Sequence, residues 1–199
     1  MNPGEEAAWQ SLLAMDPDDV CRRANVRFDA AEARYVVPCL GQEIGLAPAR
    51  REMTGTSPEG ERLLTRLGYF SRLSILTYLL HAKASPLAGH LVNPAELPVG
   101  QIFFKGSHTL PLGRLTAKYG TDPKAFAERG GTLGGKAVAY GDAAVELPVL
   151  PRVPVTLILW RGDDEFAPRA SLLLDADCET QLPPDTVWSV AMLALLAML

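Results

Sequence analysis

The stretch Pro151–Asp175 places the strongest constraint on how this chain folds. It holds an eight-residue apolar run, Val153–Trp160, then a glycine with three acids, and then a second apolar run, Ala170–Leu174. Continuous Val, Ile and Leu are typical of strands buried on both faces, and glycine beside acids is typical of a turn. The pattern therefore predicts the central hairpin of a sheet, with an acidic tip at residues 163–165.

Two longer apolar segments predict helices that pack against this sheet. Ser57 followed by Pro58 is a helix start signal, and leucines recur at helical spacing from there to Lys83. Because Leu73–Ala82 contains no acid, lysine or arginine, we expect the second half of this long helix to be buried. The apolar segment Asp185–Leu199 is too short for a membrane span, which needs about 20 residues, so it predicts a final helix in the core.

The remaining segments complete an α+β prediction. Two short helices are expected near residues 4–24 and two more near 112–129, with a small meander at 25–46 and a strand-like piece at Ile102–Phe104. Helices come early and strands late, which favours a mostly antiparallel or mixed sheet, with a long buried helix and a C-terminal helix packed on it. We expect one domain over residues 1–199, with a helical and meander part at about 1–84 and a loop and sheet part at about 85–199.

Composition narrows the classes of partner. The chain has 19 basic and 23 acidic residues, a net charge of −4, and no basic stripe, so we expect no nucleic-acid partner. Its first residues lack the charge and apolar core of a secretion signal, and no membrane span is expected. Three widely spaced cysteines are typical of neither a disulfide framework nor an iron–sulfur motif. These features predict a cytoplasmic protein with reduced thiols.

The acids of the predicted hairpin are the first candidates for chemistry. Asp163, Asp164 and Glu165, with Asp142 and Asp175, offer oxygen ligands for Mg²⁺ or Ca²⁺, or a pair of carboxylates for acid–base catalysis. The other interpretation, which we favour, is that these acids serve solvated turns and bind backbone N–H groups.

Arg152 and the histidines are the next candidates. Arg152 enters a predicted buried strand, so it needs a carboxylate partner, for which the tip acids or Asp142 are suitable, or a bound anion. The three histidines offer a zinc site, but nothing in their spacing resembles a zinc motif, and ordinary hydrogen bonding is favoured; they are His81, His90 and His108. The glycine-rich stretch 130–135 matches no phosphate-binding motif and is interpreted as a flexible connector.

Several short motifs together resemble a known family. They are LPxG at 97–100, GD at 141–142, PRVP at 151–154, WxGDxEF at 160–166, LD at 174–175 and LP at 182–183. In this order they resemble an uncharacterised family of anaerobic bacteria and archaea, catalogued as domain of unknown function 3786. Some relatives are joined to an iron–sulfur domain, so the resemblance implies a role beside redox or one-carbon metabolism, with an iron–sulfur or corrinoid protein as partner. This chain has no cysteine cluster of its own.

The sequence leads to three functional hypotheses. The first is an accessory cofactor- or small-ligand-binding domain, whose site is a cleft between the Pro/Gly-rich loop 86–108 and the acidic tip. Its candidate ligand-binding residues are Trp160, Asp163, Glu165, Phe166, Arg152, Asp142, His90 and His108. The alternatives are a carboxylate-based metal-dependent enzyme at the same tip, and an interaction module that docks through the C-terminal helix.

Overall fold

The computed structural model describes residues 3–101, 104 and 106–199, and within them it is an α+β structure as predicted. The helices are α1 Pro3–Leu13, α2 Pro17–Ala24, α3 Pro58–Arg66, α4 Gly68–His81, α5 Gly113–Tyr119, α6 Pro123–Thr132, α7 Cys178–Gln181 and α8 Pro184–Met198. The strands are β1 Arg27–Asp29, β2 Arg34–Cys39, β3 Gln42–Ala47, β4 Glu52–Gly55, β5 Leu91–Val92, β6 Lys136–Ala137, β7 Ala143–Leu150, β8 Val153–Trp160 and β9 Arg169–Asp175.

The smaller sheet is an antiparallel meander of strands β1 to β4 in chain order. Strands β2 and β3 are joined by Leu40 and Gly41, whose φ angles of 48° and 73° are both positive, as a two-residue hairpin turn requires. The meander was predicted, but β4 was not. It is four residues long and partly exposed, and its sequence Glu-Met-Thr-Gly gives little strand signal.

The larger sheet is antiparallel, with strand order β5-β9-β8-β7-β6, and the predicted hairpin forms its centre. Strand β8 coincides with the apolar run Val153–Trp160, and its residues from Val155 to Leu159 are all buried. Trp160 is only half-buried, so the run leaves the core at its last residue. The strand-like prediction at Ile102–Phe104 falls largely outside the described residues, and Phe104 itself lies in a bend.

The predicted long helix is two helices, which corrects the sequence prediction. Ser57 caps α3 as expected, its Oγ accepting from the Gly60 amide at 3.0 Å. The helical path ends at Leu67, which has φ −113° and ψ 17°, and α4 begins at Gly68. Glycine is a poor helix former, so a break costs little here. Helix α4 is buried from Ser74 to Leu79, as its lack of charge predicts.

The C-terminal helix α8 packs against α4 and both are part of one core, which confirms the predicted arrangement. From Thr186 to Met198 every residue is buried except each fourth one; these half-buried residues are Trp188, Met192 and Leu196. Among the described residues, no helix has both the length and the apolarity to cross a membrane. Because α8 is occupied by its own core, the docking face that the interaction-module hypothesis required is largely covered.

The two sheets touch where their turns meet. The Leu40 amide donates to the Pro148 carbonyl at 3.0 Å. A Cβ added to Gly134 would lie 2.9 Å from the Gly41 Cα, so the backbones are in direct contact. The glycine-rich stretch 130–135, which was predicted to be a flexible connector, is therefore packed. Gly130 and Gly131 belong to the last turn of α6, and Gly134 contacts Gly41 of the smaller sheet's β2–β3 turn.

Candidate functional site

The acidic tip is an ordered turn in which the Asp163 side chain binds the backbone. The Asp163 Oδ1 accepts from the amides of Glu165 and Phe166, at 2.9 and 2.7 Å. These backbone hydrogen bonds lower the pKa of Asp163. Phe166 is 69% exposed, and Glu165 is exposed beside it. Asp163 therefore orders the turn, which is the interpretation that the sequence favoured.

Two further predicted acids also accept from the main chain. The Asp142 Oδ2 accepts from the Arg161 amide at 2.8 Å, which ties the turn before β7 to the end of β8. Asp175 is 3% exposed, and its two oxygens accept from the amides of Ala88 and Gly89 at 3.0 Å each. These carboxylates join loops to the larger sheet. They give a structural role to the aspartates of two sequence motifs, GD at 141–142 and LD at 174–175.

The expectation that Arg152 pairs with a carboxylate is wrong. Its Nε donates to the Arg23 carbonyl at 2.8 Å and its Nη1 to the Ser85 carbonyl at 3.1 Å. The Tyr78 hydroxyl donates to the neighbouring Ala24 carbonyl at 2.7 Å. The last carbonyls of a helix lack internal partners and carry negative partial charge, and a cation satisfies both conditions. Arg152 and Tyr78 thus cap the C-terminal end of α2.

The predicted site residues lie at two ends of the larger sheet. Trp160 pairs with Arg169 at the tip end of β9, whereas Leu91, beside His90, pairs with Asp175 at the other end. Six residues of strand separate these positions, which is about 20 Å. Arg152 precedes β8 at the same end as His90. The structure brings together Asp142, Trp160, Asp163, Glu165 and Phe166, but not Arg152 or His90.

His108 lies at a third place, against α8. Its carbonyl accepts from the Trp188 Nε1 at 2.7 Å, and the two rings meet edge to face with centroids 5.0 Å apart. The Pro/Gly-rich loop does form a recess, but with the middle of β9 at Ser171 and Leu172. That recess measures about 150 Å³, and none of the described residues that line it is charged. Ligand binding by the predicted residues stays a prediction, without a common cleft to support it.

The thiols and metal-ligand types show no reactive arrangement in the part of the chain that the structure describes. Burial raises the pKa of Cys39 and Cys178 to about 12 each, so both are protonated core thiols. Over residues 3–101, 104 and 106–199, no three His, Cys, Asp or Glu side chains are grouped closely enough to hold a metal ion.

A groove that the sequence did not predict lies between four helices. It measures about 840 Å³ and is bordered by α3, α5, α6 and the end of α8. Of the described residues that line it, five are cationic and one, Glu59, is acidic; the cations are Arg62, Arg66, Arg114, Lys118 and Arg129. A protein with net charge −4 thus concentrates positive charge at one concave surface.

Three of these cations already have partners. Arg62 forms an exposed ion pair with Glu59 at 3.1 Å. Arg129 is half-buried, and its Nε donates to the Ala197 carbonyl at 3.1 Å. Lys118 donates to the main-chain oxygens of Met198 and Leu199. Arg129 and Lys118 therefore hold the C-terminal end of α8.

Arg66 and Arg114 are the two groove cations whose side chains have no partner among the described residues. Both are exposed and line the groove from α3 and α5. Among the residues that the structure describes, neither side chain forms an ion pair or hydrogen bond. An arginine presents five N–H donors in a planar fork that matches carboxylate and phosphate groups. Arg66 and Arg114 are the side chains best placed to bind an anion in this groove.

The sequence contained a weak signal for this site. Arg62 with Arg66, and Arg114 with Lys118, are basic pairs four residues apart within predicted helices, which places each pair on one helix face. The pairs are 48 residues apart in the chain, from Arg66 to Arg114, and only packing of the helices brings them to one groove. Because the two basic pairs form no contiguous basic stripe in the sequence, the sequence analysis did not predict the groove.

The fold and groove define an α+β protein with two antiparallel sheets and a basic, helix-lined concavity. The chain belongs to the family described as domain of unknown function (DUF3786), whose model matches residues 16–196. This match confirms the resemblance that the sequence motifs suggested. Neither the curated proteins nor the solved structures contain a match to the chain.

Proposed function

We propose that this protein is an accessory domain that binds a small anionic ligand or cofactor in the basic groove. The observation that carries the proposal is the placement of Arg66 and Arg114, which are exposed, lack a described partner and line one groove. This moves the predicted ligand site from the acidic tip to the space between α3, α5, α6 and α8.

Electrostatics supports an anion as the occupant. Like charges that share a concave surface repel each other and raise the local potential, and they attract oppositely charged ligands. Glu59 compensates one of the five cations. An anion between Arg66 and Arg114 would offset the remaining repulsion, so the groove is better satisfied with a ligand than without one.

The dimensions favour a small molecule over a nucleic acid. Small-molecule sites span about 300–1,000 Å³, and the groove falls within that range at about 840 Å³. A nucleic-acid footprint is an extended basic surface that follows many phosphates, whereas these cations border a single concavity. We propose a ligand with one or two phosphate or carboxylate groups.

The family resemblance supports a cellular setting for this domain. We propose that it acts in the cytoplasm beside anaerobic redox or one-carbon metabolism, with an iron–sulfur or corrinoid protein as partner. We also propose that residues 1–199 act as one domain, which the shared core of both parts supports.

Titration with inorganic pyrophosphate at low ionic strength tests the anion site. We expect saturable binding by calorimetry, with a melting temperature that rises with ligand concentration. Arg66→Glu and Arg114→Glu should each weaken binding about tenfold or more, because a charge-assisted hydrogen bond is replaced by repulsion. Lys124→Glu is the matched control, because Lys124 is 86% exposed on α6 outside the groove lining.

Three outcomes would contradict the proposal. The first is the absence of binding at millimolar pyrophosphate, and the second is binding that Lys124→Glu weakens as much as Arg66→Glu does. The third is tighter binding of a single-stranded oligonucleotide with affinity that grows with its length, which would assign the groove to nucleic acid instead.

A further inference from the structure

We infer that the ligand of the basic groove is an amphipathic anion, whose apolar part lies on the leucines of the groove while its charged group meets Arg66 and Arg114. The inference rests on the proposed function and specifies the ligand class at the same site.

The groove has an apolar lining as well as a basic one. Six of its lining residues are apolar, and they come from α3, the helix junction, α6 and α8; they are Leu63, Leu67, Leu133, Leu196, Ala197 and Leu199. Leu63 and Leu133 are 7% exposed and belong to the core. Leu67 and Leu196 are half-buried, so they offer accessible apolar surface inside the groove.

The helix junction places charge and apolar surface side by side. Arg66 ends α3, and the next residue, Leu67, leaves the helical path before α4 begins. Arg66 and Leu67 both line the groove, as do the consecutive residues Arg62 and Leu63 within α3. At both positions the groove thus has a cation beside an apolar residue.

Helix α8 extends the apolar lining away from the cations. Leu196 lines the groove, and Met192 and Trp188 lie one and two turns before it on the same helix face, all half-buried. The eight residues from Trp188 to Leu196 span about 12 Å. These residues form a half-buried apolar strip, of which Leu196 lines the groove, whereas Trp188 packs against Phe70 and His108.

A compact inorganic anion does not account for this surface. Phosphate or sulfate fills a small part of about 840 Å³ and gains nothing from leucine side chains. Small-molecule sites combine apolar surface with polar groups that fix orientation. This groove is more polar than apolar, and Arg66 and Arg114 would fix the orientation of a ligand in it. Each methylene that a ligand buries on such a surface adds about fourfold to its affinity. The lining thus suits an anion that carries an aliphatic or aromatic body.

The test is calorimetry with a series of n-alkyl phosphates, from methyl to decyl, each below its critical micelle concentration. We expect affinity to rise with chain length and then level off. In Leu196→Ser the rise of affinity with chain length should be severalfold smaller than in the wild type. Leu73→Ser is the matched control, because Leu73 is 36% exposed on α4 and does not line the groove.

A second measurement needs no variant and so does not depend on whether Leu196→Ser folds. In the wild-type protein with octyl phosphate, nuclear Overhauser effects should connect the alkyl chain with the methyl groups of Leu67 and Leu196. Contacts only with leucines outside the groove lining, such as the exposed Leu13 and Leu87, would overturn the inference.

The remaining outcomes separate this inference from the proposed function. If methyl phosphate binds and chain length has no effect, the ligand is a compact anion, and the inference is wrong while the proposed function stands. If no alkyl phosphate binds, the inference is wrong, and the pyrophosphate titration decides separately whether the proposed function stands. An anionic lipid headgroup offers the same chemistry from a membrane, so vesicles of phosphatidylcholine with phosphatidylglycerol form a further arm. Binding to these vesicles but not to soluble alkyl phosphates would also overturn the inference.

Discussion

The guanidinium of Arg169 lies over the indole ring of Trp160, with its Cζ 4.3 Å from the ring centroid. The two residues are paired across β8 and β9, so the contact follows from the strand register. A cation on the face of a half-buried aromatic ring shows that the ring borders solvent at this end of the sheet. The last residue of the apolar run is therefore a boundary residue, unlike the five that precede it.

The first prediction concerns the stability of β8. Trp160→Ala should lower the free energy of unfolding by about 1–2 kcal/mol, because half-buried surface and one cation–π contact are lost. Leu157→Ala should cost about 2–5 kcal/mol, because Leu157 is fully buried and truncation leaves a cavity. Urea unfolding of both variants gives the comparison. A larger loss for Trp160→Ala than for Leu157→Ala would contradict this account of the strand.

The second prediction concerns order in the acidic tip. In Asp163→Ala the amides of Glu165 and Phe166 lose their acceptor and should exchange with solvent faster, as NMR hydrogen exchange would measure. Asp163→Asn keeps a side-chain oxygen and should change exchange much less. Equal exchange in Asp163→Ala and the wild type would show that the carboxylate does not order the turn.

The same hydrogen bonds set a pH dependence. Because the fold lowers the pKa of Asp163, its stabilising effect is complete above the ordinary carboxyl range. The effect should be lost as pH falls through the lowered pKa, since the protonated group is a poorer acceptor. Amide chemical shifts of Glu165 and Phe166 should follow this titration below the range of an unperturbed aspartate, and a midpoint above that range would contradict the prediction.

The third prediction concerns the cap on α2. Arg152→Ala should lower the free energy of unfolding by about 1–3 kcal/mol, because the carbonyls of Arg23 and Ser85 lose a charged donor in a half-buried position. Arg27→Ala is a suitable control, since it removes only an exposed ion pair with Glu43 and should cost under about 1 kcal/mol. If Arg152→Ala and Arg27→Ala lower the free energy of unfolding equally, the hydrogen bonds of Arg152 do not stabilise the end of α2.

The fourth prediction concerns the contact between the two sheets. Gly134 has φ +74° and a new Cβ would lie 2.9 Å from the Gly41 Cα, so Gly134→Ala should cost about 2 kcal/mol or more. Gly131, three residues earlier, lies in α6 with open space around its Cβ position. Gly131→Ala should stabilise the protein by up to about 1 kcal/mol. Thermal unfolding of the two variants is the measurement: the melting temperature should fall in Gly134→Ala and rise in Gly131→Ala. Changes of the same sign in both variants would contradict the close contact between Gly134 and Gly41.

The hairpin shows how much a local pattern can predict. An eight-residue run that is mostly apolar and has no charged side chain favours burial, so Val153–Trp160 became a central strand with the predicted bounds. The helix start at Ser57 and the final helix were predictable for the same reason, because capping and apolar content act over a few neighbouring residues. The break at Leu67 was not, because no proline marks it and a glycine within a helical pattern permits a break without requiring one.

The partners of polar side chains were decided by the tertiary structure. Arg152 carried a prediction of a carboxylate partner, but the partners that packing brought to it were carbonyls at the end of α2 and after α4. The basic groove has the same origin, since Arg66 and Arg114 come from helices that are distant in the chain. By itself, the sequence determined the central hairpin, the helix start at Ser57 and the buried final helix, because backbone geometry and water act on each of these segments locally. Where charges meet depends on how those segments pack, and only the folded chain places five cations around one groove.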